Sequence, residues 1–410
     1  MHRVQGLKER ALRALDKPAP YGPDVDFSPF SRGGKELTFP ANSTVIRGVF
    51  DQAAKVGVDA AQRERAGTFL QIDRFPFLQV VEEKFQGKVE VMSTGEALKK
   101  YGWLEDYWWN AVPVDADKYT ALAELRWDQG YFIRILPGAK VSLPIQSCLL
   151  ISRSNFNQNV HNLIVAEEGS KAQIITGCTV HPNVDRALHV GVSEFYIKRG
   201  AELTFTMIHR WGENVHVRPR SAAIVEDGGT FISNYIYLGA VKSLQTFPAA
   251  FCEGKNSRAR FNALIFSSNS SHLDVGSKIW LRGENSRGES LTRVVAAGGA
   301  KVYARGAIVG ESEGVKGHIE CRGLLLSKSA EIRSIPELSA KTAGAELSHE
   351  AAVGKISRDE IEYLMARGLS EEEAASLIVR GFMDVEIFGL PEALEREVKR
   401  IVEATAAKAL

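Results

Sequence analysis

The chain has 410 residues, of which 44% are hydrophobic and 25% are charged, so it can bury a large core and form two or three structural units. Its 51 basic and 50 acidic residues leave a formal net charge of +1, which favours neither nucleic acid nor an anionic membrane surface as a partner. No apolar run approaches the roughly 18–20 residues that cross a bilayer, and Met1–Leu15 lacks the apolar core of a secretion signal. We therefore expect a cytoplasmic protein without a nucleic-acid or membrane partner.

Residues 1–115 predict a mainly helical amino-terminal domain. Helical patterns cover Thr44–Val56 and Ser93–Tyr101. The second pattern begins with a capping box of Ser93 and Glu96 and ends at Gly102. The aromatic cluster that follows is more typical of core or interface packing than of a ligand site. It comprises Trp103, Tyr107, Trp108 and Trp109.

Residues 116–345 predict a mainly β core, because short apolar strands alternate there with glycine-containing turns. One turn type returns about every 30 residues, and this period is typical of a β-solenoid, whose coils bury their inner faces by stacking. The alternative is a β-sandwich, which favours turns every 8–12 residues without a longer repeat. The repeated turn contains Gly138, Gly169, Gly200, Gly228, Gly298 and, with serine in place of glycine, Ser329.

Residues 346–410 predict a small helical domain at the carboxyl end. Ser357 and Ser370 each begin a capping box and a short amphipathic helix. These helices are expected to end at Gly368 and Gly381. Pro391 suits the first turn of a last helix.

Cys321 forms the densest polar group of the sequence together with His349 and Glu350, which follow about one coil later. Residues one coil apart lie on adjacent rungs of a solenoid, so we expect these side chains within reach of each other. A thiolate beside imidazole and carboxylate can act as a nucleophile or bind iron. For an isolated cysteine, packing in the core is the commoner role.

The other three cysteines show no metal-binding or redox pattern, since no CxxC pair is present. In a reducing compartment they are free thiols. Cys148 and Cys252 are expected to be structural. Taken alone, Cys178 is typical of a core cysteine, and His189 and Trp211 are typical of packing residues.

Several segments match one known family in order and spacing. Ser348–Ile356, Arg367–Ala374 and Ile378–Phe382 match its carboxy-terminal signature, and Gly177–Thr179 and Leu188–His189 match upstream segments. Over roughly residues 130 to 385 the chain resembles the SufB/SufD family of iron–sulfur cluster assembly scaffolds. The resemblance implies a right-handed parallel β-helix flanked by amino- and carboxy-terminal helical domains.

The resemblance also implies roles for individual residues. It implies that sulfur is accepted and transferred at Cys178, His189 and Trp211. A transient cluster of iron and sulfide would then form at a second site, which also supplies the metal ligands. That second site comprises Cys321, His349 and Glu350.

The resemblance further implies partners. These are a SufC-like ABC-type ATPase docked on the terminal helical domain, a cysteine desulfurase or other sulfur donor, and apo iron–sulfur acceptor proteins. Because cysteine, histidine and glutamate occur together, the chain is more like SufB than SufD, and we expect it to pair with itself as a homodimer or with a SufD-like paralogue. The sequence gives no information on the reduced flavin that some family complexes bind.

Departures from the family pattern affect the path of sulfur. The cysteine-rich amino-terminal motif of longer bacterial SufB proteins is missing, and Ser348 stands where bacterial SufB has glutamate. His209 and Arg210 precede Trp211 where a Gln-Asn pair is expected.

The expected function is a non-enzymatic assembly scaffold with an altered sulfur path. One alternative is a cysteine-dependent hydrolase or transferase that uses Cys321, His349 and Glu350 as a triad. The other is a purely structural platform for partner proteins.

Overall fold

The computed structural model describes residues 2–31, 44–58, 64–383 and 395. The chain is mainly β and forms a β-solenoid of about 8 turns with helices at its amino and carboxyl ends. The predicted fold class is confirmed, and the β-sandwich alternative is wrong.

Six α-helices are present among the described residues: α1 (His2–Ala14), α2 (Thr44–Ala54), α3 (Thr94–Lys100), α4 (Lys118–Leu125), α5 (Arg358–Met365) and α6 (Glu371–Phe382). The strands up to the middle of the solenoid are β1 (Gly67–Ile72), β2 (Phe75–Val81), β3 (Val89–Ser93), β4 (Tyr131–Ile135), β5 (Ile145–Ile151), β6 (Phe156–Ala166), β7 (Lys171–Val180), β8 (Arg186–Ile197), β9 (Glu202–Arg210), β10 (Asn214–Val217) and β11 (Arg220–Val225). The remaining strands are β12 (Thr230–Gly239), β13 (Ser243–Thr246), β14 (Ala249–Cys252), β15 (Arg258–Ser267), β16 (His272–Leu281), β17 (Arg287–Ala296), β18 (Lys301–Gly310), β19 (Lys316–Leu325), β20 (Glu331–Ala340) and β21 (Glu346–Lys355).

Two sheets form the walls of the solenoid. Sheet 1 has the strand order β2-β1-β5-β7-β9-β12-β15-β17-β19-β21, and the other eleven strands form sheet 2. Only the β1–β2 and β3–β4 pairs are antiparallel among the described pairs. Neighbouring strands lie about 4.8 Å apart, so each coil adds one rung to the stack. Side chains that alternate inward along the strands fill the interior between the two sheets.

Glycine recurs in the repeated turns because of their backbone conformation. All five glycines of the repeat have φ between 61° and 68°, in the left-handed region that side chains with a Cβ rarely adopt. Four other turns place asparagine in the same region, and asparagine tolerates it better than most residues. These asparagines are Asn155, Asn256, Asn269 and Asn285, with φ of 57°, 57°, 57° and 58°.

Gly200→Ala is expected to lower the free energy of unfolding by about 1–2 kcal/mol, because Gly200 has φ of 63°. No other atom lies within 4 Å of a Cβ built at this position, so the cost is conformational and not steric. Gly200→Asn is the matched control and should lose less than half as much. Urea unfolding midpoints measure both effects, and equal losses would contradict the conformational explanation.

The structure places strands in two segments that were predicted to be helical. β1, β2 and β3 lie inside the segment predicted as mainly helical, and β1 pairs in parallel with β5 of the solenoid. At the other end, β21 occupies residues 346–355, where helix was predicted, and pairs with β19. β21 is the last rung, and nearly all its side chains are exposed, so it lacks the apolar alternation that reveals inner strands.

The predicted helix ends are only partly observed. The capping boxes of Ser93 and Ser370 are present, whereas Ser357 makes no side-chain capping bond. Gly381 lies within α6 and does not end it. The helix predicted after Pro391 lies outside the described residues.

Apolar layers cover the outer faces of both sheets. α2 and α6 pack on sheet 1, where Val49, Ala53 and Val379 belong to the same cluster as sheet residues. The aromatic cluster predicted to be core packs on sheet 2: Trp108 is buried and stacks on the ring of His161 at 3.7 Å. The core packing predicted for this cluster is confirmed.

Candidate sulfur site and cluster site

Cys178 lies on β7 in sheet 1 and is fully buried. It is directly opposite Leu149 on β5 and His209 on β9. Residues opposite each other in a parallel ladder point to the same face, so Cys178 and His209 both face the solenoid interior. Burial, with a smaller effect of Cys148, raises the pKa of the Cys178 thiol well above its usual value. The resting thiol is therefore protonated at neutral pH.

His189 faces the same interior from β8 in sheet 2. Its Nδ1 lies 2.9 Å from Oε1 of Gln158. The Gln158 amide nitrogen donates to the carbonyls of Asp73 and Leu150, so Oε1 accepts and Nδ1 of His189 carries the hydrogen. The Nε2 lone pair is then free. Burial lowers the pKa of His189 to about 3, so the ring is neutral.

The rings of His189, His209 and Trp211 form one cluster. The ring centres of His189 and Trp211 are 4.9 Å apart, those of His209 and Trp211 are 5.4 Å apart, and those of the two histidines are 6.5 Å apart. Gly191 leaves room for this cluster, because a Cβ there would lie 2.8 Å from Nε2 of His189. The structure thus brings His189 and Trp211 together with His209, which lies opposite Cys178.

His209 was not predicted as a site residue. Its Nδ1 lies 3.0 Å from the Tyr235 hydroxyl, and burial, with a smaller effect of His189, lowers its pKa well below the usual value. The signal was present in the sequence, because His209 stands where the family pattern expects glutamine.

Cys321 lies on β19, in the same sheet as Cys178 and on the same inner face. It is 4% exposed, and burial raises its thiol pKa, although a hydrogen bond from Ser334 offsets part of the effect. Five strand spacings separate β7 from β19, which corresponds to about 24 Å. Both thiols thus face one interior space, at different heights.

A cavity of about 50 Å³ lies in the interior between the rungs of the two cysteines. It has room for a few water molecules. Met207, Tyr235 and Thr292 line it and belong to the in-register row that includes Cys321. The hydroxyls of Ser277 and Ser290, 2.8 Å apart, add polar surface. The interior between the cysteines is therefore partly open and partly polar.

His349 and Glu350 lie on β21, on the rung next to Cys321 as predicted, but Ala351 is the residue opposite Cys321. His349 is opposite the inward-facing Ile319, whereas Glu350 is opposite Glu320 and so points to the outer face. In the part of the chain that the structure describes, no three His, Cys, Asp or Glu side chains are close enough to hold a metal ion. One chain therefore does not assemble the predicted three-ligand group.

The two remaining cysteines are buried at other places. Cys148 packs between sheet 1 and α2 with Val56, and Cys252 lies at the end of β14, opposite Leu281. Burial raises the pKa of each thiol to about 12. Among the described helices, none has the length and apolar character needed to span a membrane.

Comparison with known proteins identifies the family. Residues 149–382 match the SUF system FeS cluster assembly, SufBD core domain. An iron–sulfur cluster assembly SufBD family protein of Archaeoglobus fulgidus is 49% identical over 353 residues, which cover 86% of this chain and 94% of the relative. A SufBD family homolog of Methanothermobacter thermautotrophicus is 46% identical over 401 residues, covering 96% of this chain and 97% of the relative. The iron–sulfur cluster assembly protein SufB of Bacillus subtilis is 28% identical over 363 residues, which cover 87% of this chain and 77% of the relative.

The solenoid, its signature segments and these matches together show that the chain belongs to the SufBD family of iron–sulfur cluster assembly proteins.

Proposed function

We propose that the chain is the scaffold subunit of a SUF-type assembly complex, which receives sulfur at Cys178 and builds a nascent cluster at Cys321. The observation that carries the proposal is the placement of both thiols on the inner face of sheet 1, with the cavity between their rungs. Sulfur that moved through this interior would be shielded from bulk solvent. The other two buried thiols lie elsewhere: Cys148 is on the outer face of sheet 1, and Cys252 is on β14 of sheet 2.

The sulfur is proposed to move as a persulfide, by exchange between thiol groups. The attacking species in such exchange is the thiolate, and burial keeps the Cys178 thiol protonated. The buried rings of His189 and His209 do not supply a base for this thiol, because burial lowers the pKa of both. The thiol proton is therefore proposed to pass to the departing donor sulfur as the new S–S bond forms.

The cluster site is proposed to include ligands from two chains. β20 and β21 are edge strands of the last coil, and such edges tend to pair with another chain. In a twofold dimer, Cys321 of one copy would approach His349 of the other. Few and mixed ligands suit a scaffold that must release its cluster. A SufD-like paralogue could take the place of the second copy.

The carboxy-terminal helices are proposed to dock a SufC-like ABC-type ATPase. α5 and α6 expose three large apolar side chains, Tyr363, Met365 and Leu377, at 58%, 38% and 38%. Exposed apolar residues on helices are typical of surfaces that enter a partner's groove. A desulfurase or other sulfur donor and apo acceptor proteins complete the proposed set of partners.

The hydrolase alternative is disfavoured by the geometry. A triad needs a base that is itself oriented by a third group. Glu350 is in register with Glu320 on the outer face, whereas Cys321 faces inward. A single chain therefore lacks the third member beside the thiol.

The test compares four single cysteine-to-serine variants in anaerobic reconstitution with iron. Sulfur comes either from free sulfide or from a desulfurase with cysteine, and cluster absorption is the readout. Cys321→Ser should abolish cluster formation with both sources. Cys178→Ser should abolish it only with the desulfurase.

Cys148→Ser and Cys252→Ser are the matched controls, since both thiols are also fully buried. They should change the yield less than about twofold, because they lie outside the sulfur path and serine is close in size. Equal loss at all four positions would show that the cysteines are structural and would contradict the proposal.

A further inference from the structure

The ring cluster that includes His209, the residue opposite Cys178, contains two buried nitrogens without a hydrogen-bond partner among the described residues: Nε2 of His209 and Nε1 of Trp211. Both side chains are nearly inaccessible to solvent, at 0% and 7%. Buried polar groups are nearly always paired, because an unpaired one costs stability. Two such groups in one ring cluster therefore make it a candidate site for a hydrogen-bonding ligand.

The tautomer of His209 follows from its neighbour. The Tyr235 hydroxyl lies 3.0 Å from Nδ1, and burial keeps it protonated by raising its pKa. Within the described chain the hydroxyl has no other acceptor, so it donates to Nδ1. Nε2 then carries the hydrogen. The indole Nε1 is always a donor, so both unpaired nitrogens are donors and a ligand bound by them is an acceptor.

We propose that His209 and Trp211 hold the sulfur that Cys178 receives, with both N–H groups donating to the terminal sulfur of a Cys178 persulfide anion. This inference rests on the proposed function and names the group that retains the sulfur. His209 is directly opposite Cys178, one strand spacing of about 4.8 Å away. A persulfide extends one S–S bond, about 2 Å, beyond Sγ, so its terminal sulfur can reach into the space between them.

The transfer is balanced without an oxidant. A donor persulfide, R–S–SH, loses its terminal sulfur to Sγ of Cys178, and a new S–S bond forms there. The donor S–S bond breaks, and its electron pair stays on the inner sulfur, which takes one proton and leaves as R–SH. The second proton passes to solvent. The terminal sulfur remains as an anion, and hydrogen bonds to a charged acceptor are stronger than those between neutral groups.

The experiment measures how long sulfur stays on Cys178. The full-length protein is loaded anaerobically with inorganic polysulfide, excess reagent is removed, and mass spectrometry follows the peptide of Cys178 with one added sulfur. His209→Leu removes the donor and should shorten the persulfide half-life about tenfold, as expected for loss of one charge-assisted hydrogen bond. His209→Gln is the matched control, because its amide keeps an N–H donor, and should stay within about threefold of the wild type.

Two further variants separate the inference from the proposed function. Cys178→Ser should take up no sulfur at this peptide, and a wild-type protein that takes up none would overturn the proposed function itself. If wild-type protein is loaded but folded His209→Leu keeps sulfur as long, only the inference fails. Should His209→Leu not fold, Tyr235→Phe decides the matter: it removes the bond that fixes the tautomer and should shorten the half-life, and an unchanged half-life would overturn the inference.

Discussion

Glu194→Ala is expected to lower the free energy of unfolding by about 3–5 kcal/mol, because it leaves several buried donors without an acceptor. The Glu194 carboxylate is fully buried and accepts backbone N–H bonds from Trp109, Ala111 and Val112 at 2.8, 2.7 and 3.0 Å. It also lies 2.8 Å from Nε2 of His161. The Glu194 side chain thus holds the loop that contains Trp108 and Trp109 against the outer face of sheet 2.

The measurement is urea unfolding followed by tryptophan fluorescence, since Trp108 and Trp109 lie in the loop that would be released. Glu202→Ala is the control: its ion pair with Lys171 is exposed on both sides, and its loss should cost less than about 1 kcal/mol. If the two variants lose equal stability, the buried carboxylate is not the anchor of the loop. If tryptophan fluorescence changes at a lower urea concentration than the circular dichroism of the solenoid, the aromatic layer detaches first.

The solenoid could be predicted because its turns carry their own physical signal. Five of the six repeated turns contain a left-handed glycine, as at Gly138, Gly169 and Gly200. The inner strands are also visible, because each is apolar and bounded by these turns. β21 could not be recognised in this way, since an edge strand at the end of the stack buries almost nothing.

The site was partly predictable for the same reason. The spacing between Gly169 and Gly200 equals that between Cys178 and His209, so the repeat places these two side chains on adjacent rungs. The last coil departs from the assumed spacing. Its two rungs are one residue further apart in sequence than assumed, so Ala351 and not Glu350 lies opposite Cys321. A shift of one residue moves a side chain to the other face of a strand, and the sequence does not reveal such a shift.

The open end of the solenoid is expected to mediate a homodimer. Val353 lies on β21 in an inward-facing row, opposite Gly323, yet is 41% exposed because no further rung covers it. Val353→Asp should weaken the dimer at least about tenfold, since it places a charge in an apolar interface. Leu12→Asp is the control, because Leu12 is 58% exposed on α1 at the other end of the chain and should leave the dimer intact.

Light scattering measures this effect, and the wild-type mass should be twice the 45.0 kDa of one chain. A strictly monomeric wild-type protein, with or without the ATPase, would exclude the homodimer. Equal dissociation by the two aspartate variants would place the interface elsewhere. Because both variants change an exposed residue, their folded structures should be otherwise unaltered.

Mixed dimers test whether the ligands cross the interface. Co-expression of Cys321→Ser and His349→Ala chains with different tags allows the mixed dimer to be isolated. If Cys321 of one copy works with His349 of the other, one site contains both substitutions and the second site is intact, so the mixed dimer should form about half the clusters of the wild type. Each pure variant should form almost none. If both ligands came from the same chain, the mixed dimer would be as inactive as its parents, because every site would then lack one ligand.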